Sequence, residues 1–263
     1  MEILVCVKRV PMVGGKIVVT PDGQDVDTRM SGFTVSPHEE CAIEEAVRIV
    51  GRLGGSVTAL ALGPPEAADQ LRDMLALGAG HGVLLETDGR PWGPIATAAA
   101  ITDAARRRAE GPDGGYDLLL FGNEAADTGD YQVPVRVAHA LGLPCVTGIK
   151  ELEISAGGDG AAGPRARARR EYRGTQETFD IPLPAVVSVK EGINLPRYPS
   201  LPGRLRAKRA VIERLAPHWQ AEGLRTQRLR VPQGERKRAQ ILGTGPGAVP
   251  ALVQLLDELG VLP

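Results

Sequence analysis

Short apolar runs alternate with helical patterns through the first two hundred residues of the chain. Ile3–Val7, Ser56–Leu62, His81–Glu86 and Tyr116–Phe121 are nearly continuous apolar stretches bounded by charged residues, Gly or Asp. Runs of that length and composition suit strands buried on both faces of a parallel sheet. Between them, Pro37–Arg52, Glu66–Leu77 and Gly93–Arg108 carry helical periodicity. Strands alternating with helices of this size are βαβ crossovers, so the pattern predicts an α/β fold with a doubly wound, mostly parallel sheet.

Two interruptions break the alternation. Pro11–Thr34 holds Gly-Gly, Pro-Asp-Gly and the alternating Lys16–Thr20, which predicts a small hairpin before the first helix. Ser155–Pro164 is a glycine-rich loop between the strand-like flanks Lys150–Ile154 and Arg167–Tyr172, a β-excursion from which Ala185–Lys190 returns to a sheet. Beyond Gly203 the alternation is expected to stop. The chain then closes on Ala248–Leu259, where Val249, Leu252, Val253, Leu256 and Leu259 recur at helical spacing and need an apolar surface to dock on. The expected division is a nucleotide-binding domain over 1–202 and a basic arm ending in a helix over 203–263.

Composition narrows the class. In 263 residues, 43% are hydrophobic, enough to bury a core. With 33 glycines and 21 prolines, about one residue in five, the chain falls short of low-complexity composition. No apolar run has the ~18 residues of a membrane span, and Met1–Lys8 is too short and too acidic for a signal peptide. Three scattered cysteines, Cys6, Cys41 and Cys145, fit a reducing compartment, so a soluble cytoplasmic protein is expected. The four histidines have no ligand spacing, and no metal site is expected.

Charge is uneven. Gly203–Gln240 carries eleven basic residues against Glu213, Glu222 and Glu235, about +8, within a chain of net charge −1. Such an arm is either a solvated surface or one that lies on an acidic partner. One tryptophan among the charges and no recognition motif argue against nucleic acid.

Two constellations point to a ligand. Ser36-Pro37-His38-Glu39 is a helix start with an N-cap, a proline at the first helical position and a capping box; it is a sound structural device and also a place where free N–H groups hold anions. Gly122-Asn123-Glu124-Ala125-Ala126-Asp127-Thr128-Gly129-Asp130-Tyr131-Gln132-Val133 leaves an apolar strand and enters a helix that runs to Leu141. Small-residue loops at the carboxyl ends of strands are where open α/β folds bind ligands. The loop is neither a P-loop nor a Gly-x-Gly-x-x-Gly fingerprint. No Gly-x-Ser-x-Gly, paired carboxylates or Cys–His arrangement supports catalysis, and no catalytic residue is expected.

Several stretches, in order, resemble the β subunits of electron transfer flavoproteins (the ETF-β family). Val5–Val10 looks like that family's opening strand. Ser36-Pro37 with Ala42–Arg48 is similar to its Asn-Pro-Phe-x-x-x-Ala-x-Glu-Glu-Ala segment, and Met74–Ala79 resembles its Ala-Met-Gly-Ala run. Asp117–Gln132 resembles its strand and loop. The most specific pieces are Leu183–Val189 and Asn194-Leu-Pro-Arg-Tyr-Pro-Ser-Leu-Pro202, followed by Lys208. The resemblance covers roughly residues 1–210.

The resemblance implies a Rossmann-like, adenine-nucleotide-binding fold and a heterodimer. An α subunit would hold the redox-active FAD, and this subunit would bind AMP, or a second FAD in electron-bifurcating members. Flavin dehydrogenases would supply electrons; a quinone reductase or a ferredoxin-type acceptor would take them. The nucleotide positions fall on Cys6, Ser36–Glu39, Leu62 and Gly122–Val133. The dehydrogenase-recognition loop falls on Glu191–Ser200, including Asn194, Leu195, Pro196, Arg197 and Tyr198, with Ile193 as an exposed apolar anchor. The basic arm and last helix would wrap onto the α subunit. Ser36 and His38 replace the family's Asn and Phe, the aromatic expected near Val13 is missing, and Tyr172–Gln176 replaces a Val-Asp-Gly-Gly signature. Three readings stay open: an electron-carrier subunit, a bifurcating redox complex using NADH, and a free-standing nucleotide-binding module.

Overall fold

The computed structural model describes residues 1–12, 14, 17–155, 163–223, 226–232 and 239–261. Val13, Lys16, most of the loop 155–164, and Arg225, Glu235 and Arg236–Arg238 of the basic stretch lie outside the described residues.

β1 (Glu2–Val7) is followed by a two-residue strand, β2 (Val10–Pro11), which pairs antiparallel with β3 (Phe33–Thr34). Alternation then runs through α1 (Pro37–Leu53), β4 (Ser56–Gly63), α2 (Ala67–Leu77), β5 (His81–Glu86), α3 (Pro94–Glu110) and β6 (Leu118–Gly122). Next come α4 (Val133–Leu141), β7 (Cys145–Ile149), β8 (Glu151–Ser155), β9 (Arg165–Tyr172), β10 (Thr175–Pro182) and β11 (Ala185–Val189). α5 (Leu201–Arg209) and β12 (Ile212–Leu215) complete the domain.

Seven strands form one sheet in the order β12-β5-β4-β1-β6-β11-β7, and every neighbouring pair is parallel. The predicted doubly wound α/β sheet is therefore the observed one. Alternate residues of each strand feed opposite layers. Ile3, Val5, Leu118 and Leu120 pack with Ile43, Ile49 and Leu71 of α1 and α2. Leu4, Leu60 and Leu119 pack with Ile101 and Val137 of α3 and α4. Each such side chain contributes roughly 1.5–3 kcal/mol when fully buried, which is why these strands read as apolar throughout.

The chain winds outward from β1 through β4 to β5, then returns to the other side of β1 as β6. Winding reverses between β1 and β6, and ligands of open α/β sheets bind outside the carboxyl ends of strands at such a point. β11 inserts between β6 and β7, so the turn after Val189 emerges at the same edge.

The β-excursion is an antiparallel sheet of three strands, β10-β9-β8. In β9, buried Ala166 and Ala168 alternate with arginines on the other face. Arg169 pairs with Glu151 at 2.6 Å and Glu153 at 3.3 Å, and Arg167 with Asp180 at 3.3 Å. β7 and β10 were not expected. β7 is a short strand at the sheet's edge that contains Gly148, and β10 is mostly polar because one of its faces is exposed.

The boundary expected at residue 202 is corrected. Alternation does not stop at Gly203: α5 buries Ala207, and β12 joins the sheet beside β5. The first compact unit comprises Met1–Lys16 and Asp27–Thr226. β12 was hidden by its sequence, Ile-Glu-Arg-Leu, whose charges lie at the sheet's edge.

The second unit comprises Ile17–Val26 and Gln227–Pro263. Within it the expected hairpin is present as an antiparallel bridge between Val19 and Val26, and Leu229 N–H donates to Gly23 C=O at 2.7 Å. Its helix, α6 (Val249–Glu258), leaves Val249, Leu252 and Val253 about half exposed.

Candidate functional site

Ser36 ends an extended segment and caps α1: its hydroxyl accepts the Glu39 N–H, while Glu39 accepts the Ser36 N–H at 3.0 Å. Proline at the first helical position costs no hydrogen bond there. The other Glu39 oxygen accepts the Lys8 N–H at 2.9 Å, tying the helix start to the chain leaving β1. Glu39 is 6% exposed, and burial pushes its carboxyl up to about 7 against the hydrogen bonds that favour the charged form. A carboxyl partly protonated near neutrality places less negative charge beneath the helix N-terminus than an ordinary carboxylate would.

The helix start lies directly against the end of β6. A Cβ on Gly122 would come within 2.8 Å of Glu39 Cγ and 3.2 Å of His38 Cβ, so only glycine permits this approach. After Gly122, Asn123 N–H donates to Val189 C=O at 3.0 Å, and Ser188 Oγ donates to Asn123 Oδ1 at 3.2 Å. The loop then closes on itself: Ala125 N–H reaches Asp130 C=O, and Gly129 N–H, at φ 66°, reaches Ala125 C=O. Asp130 accepts the Gln132 N–H, and Val133 starts α4. Asp127 pairs with Lys8 Nζ at 2.7 Å, and the Tyr131 hydroxyl bonds to Glu124.

Ser36–Glu39 and the loop 122–133 thus face each other across the reversal point between β1 and β6. Cys6 sits at the carboxyl end of β1, in register with Leu60, and Leu62 extends the neighbouring strand two residues further. Both belong to the layer covered by α3 and α4. Cys6 is buried, and burial, with Glu39 nearby, pushes its thiol far above the usual range. It packs as an apolar group and is inert as a nucleophile.

His38 is largely covered, its side chain 17% exposed. It opens on a cleft of about 670 Å³ shared with Glu124, Tyr131, Lys150, Glu171 and Lys190. The lysines and Glu171 were missed in the sequence. Their elements, β7–β9 and the end of β11, are far from the loop in the chain, and only the sheet order brings them to it. Lys8 was also missed as a site residue, although a cation directly after an apolar strand that ends at the reversal point is a usable signal.

The loop after β11 is fastened along α1. Asn194 Nδ2 donates to Cys41 C=O and to Glu45, both at 3.0 Å, and Arg197 Nε donates to Glu44 at 2.7 Å. Burial raises the Glu44 carboxyl, and the hydrogen bonds from Arg197 and Arg48 outweigh it, leaving Glu44 below its ordinary range. The expected exposed anchor is corrected: Ile193 is partly buried and packs against the core. Leu195 and Tyr198 are the exposed apolar side chains of the loop, at 84% and 95%. Pro196 lies between them, partly buried.

A family model described as "Electron transfer flavoprotein domain" matches residues 26–218, which include the helix start and both loops. This chain belongs to the electron transfer flavoprotein β-subunit family. The "Electron transfer flavoprotein subunit beta" of Bacillus subtilis (strain 168) is 34% identical over 215 residues, 82% of this chain and 79% of that one. The protein of the same name from Bradyrhizobium diazoefficiens is 30% identical over 265 residues, all of both chains. The "Electron transfer flavoprotein subunit beta, mitochondrial" of Oryza sativa subsp. indica is 33% identical over 223 residues, 82% of each.

Proposed function

We propose that this chain is the β subunit of a heterodimeric electron transfer flavoprotein that binds AMP and carries out no substrate turnover of its own. Its α partner holds the redox-active FAD, which accepts electrons from flavin dehydrogenases and passes them to a quinone reductase. The observation that carries the nucleotide reading is the opposition of a capped helix N-terminus and a self-closed, glycine-containing loop at the winding reversal of a parallel sheet. The donors suit a nucleotide phosphate: the first turn of α1 supplies the positive end of a helix dipole, and Lys8, held by Asp127 of the loop, sets a cation beside it. Three free cysteines suit a reducing, cytoplasmic setting.

Two segments fit partner roles. The loop 191–200 is stiffened by Pro196 and Pro199 and displays Leu195 and Tyr198, the arrangement of a preorganised docking loop for a dehydrogenase. The exposed apolar face of α6 and the basic segment that precedes it fit an acidic, partly apolar surface on the α subunit.

Extraction and mass identification of the nucleotides in the purified heterodimer test this reading. AMP with one flavin per heterodimer is the expected outcome. Two flavins and no AMP would replace the carrier with a flavin-binding β subunit, and a nucleotide-free complex would remove the site assignment. Truncation after Pro232 should leave a folded sheet domain whose complex loses α-bound FAD, and normal flavin retention would contradict the docking role.

A further inference from the structure

We infer that His38 is a positioning residue that couples the nucleotide loop to the partner-facing loop, so that occupancy of one site sets the order of the other. This rests on the nucleotide and docking roles proposed above.

The geometry is specific. The Glu191 N–H donates to His38 Nδ1 at 2.8 Å. An imidazole nitrogen that accepts a hydrogen bond carries no proton, so the neutral ring bears its proton on Nε2. Nε2 stands 3.7 Å from Glu124 Oε1. One ring therefore bonds to the first backbone donor of the docking loop and faces the first carboxylate of the nucleotide loop. Residues 38, 124 and 191 come from three elements that only the sheet order brings together, α1, the end of β6 and the end of β11.

The rest of the docking loop is held to α1 by Asn194 and Arg197, which bond to Cys41, Glu45 and Glu44, further along the helix than His38. The Asn123–Val189 and Asn123–Ser188 bonds join the nucleotide loop to β11 inside the sheet, before the docking loop begins. His38 is thus a side chain at the junction where the docking loop leaves the sheet, and it bonds to that loop's first backbone N–H. The backbone N–H of Glu191 has another role for the ring besides: without the acceptor, a donor at the mouth of the cleft is released. A ligand that orders Glu124 fixes Nε2, and the ring in turn fixes Glu191. Coupling of this kind is reciprocal, so a docked partner must also tighten the nucleotide.

The heterodimer as wild type, His38→Phe and His38→Asn tests the inference, with AMP as the probe, or FAD where AMP does not bind. In the wild type the nucleotide should slow hydrogen exchange of the Glu191 amide by about 3–10-fold, the worth of one hydrogen bond. It should also lower the KM for a reduced flavin dehydrogenase by about fivefold. In His38→Phe both responses should vanish, and in His38→Asn, whose side-chain carbonyl can accept the same N–H, they should return in part. Glu191→Pro removes the donor with His38 intact and should abolish the KM response, which keeps the test open if His38→Phe does not fold. Equal responses in wild type and His38→Phe, or a wild type that binds nucleotide with no response, overturn this inference alone. A wild type that binds neither probe overturns the site reading and the inference with it.

Discussion

The carboxylate of Glu222 accepts the N–H of Ala96 at 2.7 Å, so a residue more than a hundred positions away caps the N-terminus of α3. The cap residue itself, Gly93, offers no side chain, and a Cβ there would lie 2.3 Å from Glu222 Oε2. Nearby, Trp219 Nε1 donates to Pro91 C=O at 3.0 Å, with Arg90 over the indole ring at 4.7 Å. These contacts stitch the segment after β12 onto the loop between β5 and α3.

Losing that cap should cost what a lost N-cap costs, about 0.5–2 kcal/mol. Glu222→Ala and Gly93→Ala should each lower the melting temperature by a few degrees. Both remove one interaction, so the double variant should be much less destabilised than the sum. Additive effects would show that Glu222 does not act through the helix start.

Glu39 gives the fold a pH dependence with a definite sign. Its carboxyl is raised from the ordinary value of 4.5 to about 7 by burial, so between these values the folded state holds a proton that the unfolded state has lost. Its contribution is fully present below about 4.5 and is lost as pH rises toward 7, on the order of 3 kcal/mol across the window. Denaturant titrations from pH 5 to 7.5 should show this fall in the wild type and a flatter profile in Glu39→Gln. Parallel profiles would contradict it.

Gly122→Ala should strip nucleotide and also lower stability, because the new methyl meets Glu39 and His38 across the interface between β6 and α1. Overpacking of this kind typically costs 1–3 kcal/mol. Nucleotide content by mass and thermal melting check the two parts separately. Full occupancy in a destabilised variant would place the ligand elsewhere.

Ile193 and Leu195 should separate folding from docking. Ile193→Ala removes a partly buried side chain and should cost about 1–2 kcal/mol, below the ~2–5 kcal/mol of a fully buried residue. Leu195→Ala, on an 84% exposed residue, should leave the melting temperature unchanged and raise the KM for the dehydrogenase. The reverse pattern would restore Ile193 as the anchor.

The amino-acid pattern by itself determined the doubly wound class, because strands buried on both faces must be apolar through their buried part, as Ile3–Val7 and Val83–Leu85 are. It also marked both halves of the candidate site: the capping residues Ser36 and Glu39 act on neighbouring backbone, and the loop after Phe121 is set by its own short-range chemistry. Strand order was beyond it. The insertion of β11 between β6 and β7 puts Glu191 on His38, and nothing local in either segment specifies that partner. β10 and β12 escaped because one-sided and edge strands keep polar residues on the solvent face, erasing the apolar run, and β7 because its five residues are few and are broken by Gly148. Ile193 was misjudged for a related reason. A loop without periodicity gives no sign of which side chain turns inward, and only packing against the core decided that Ile193 does so while Leu195 does not.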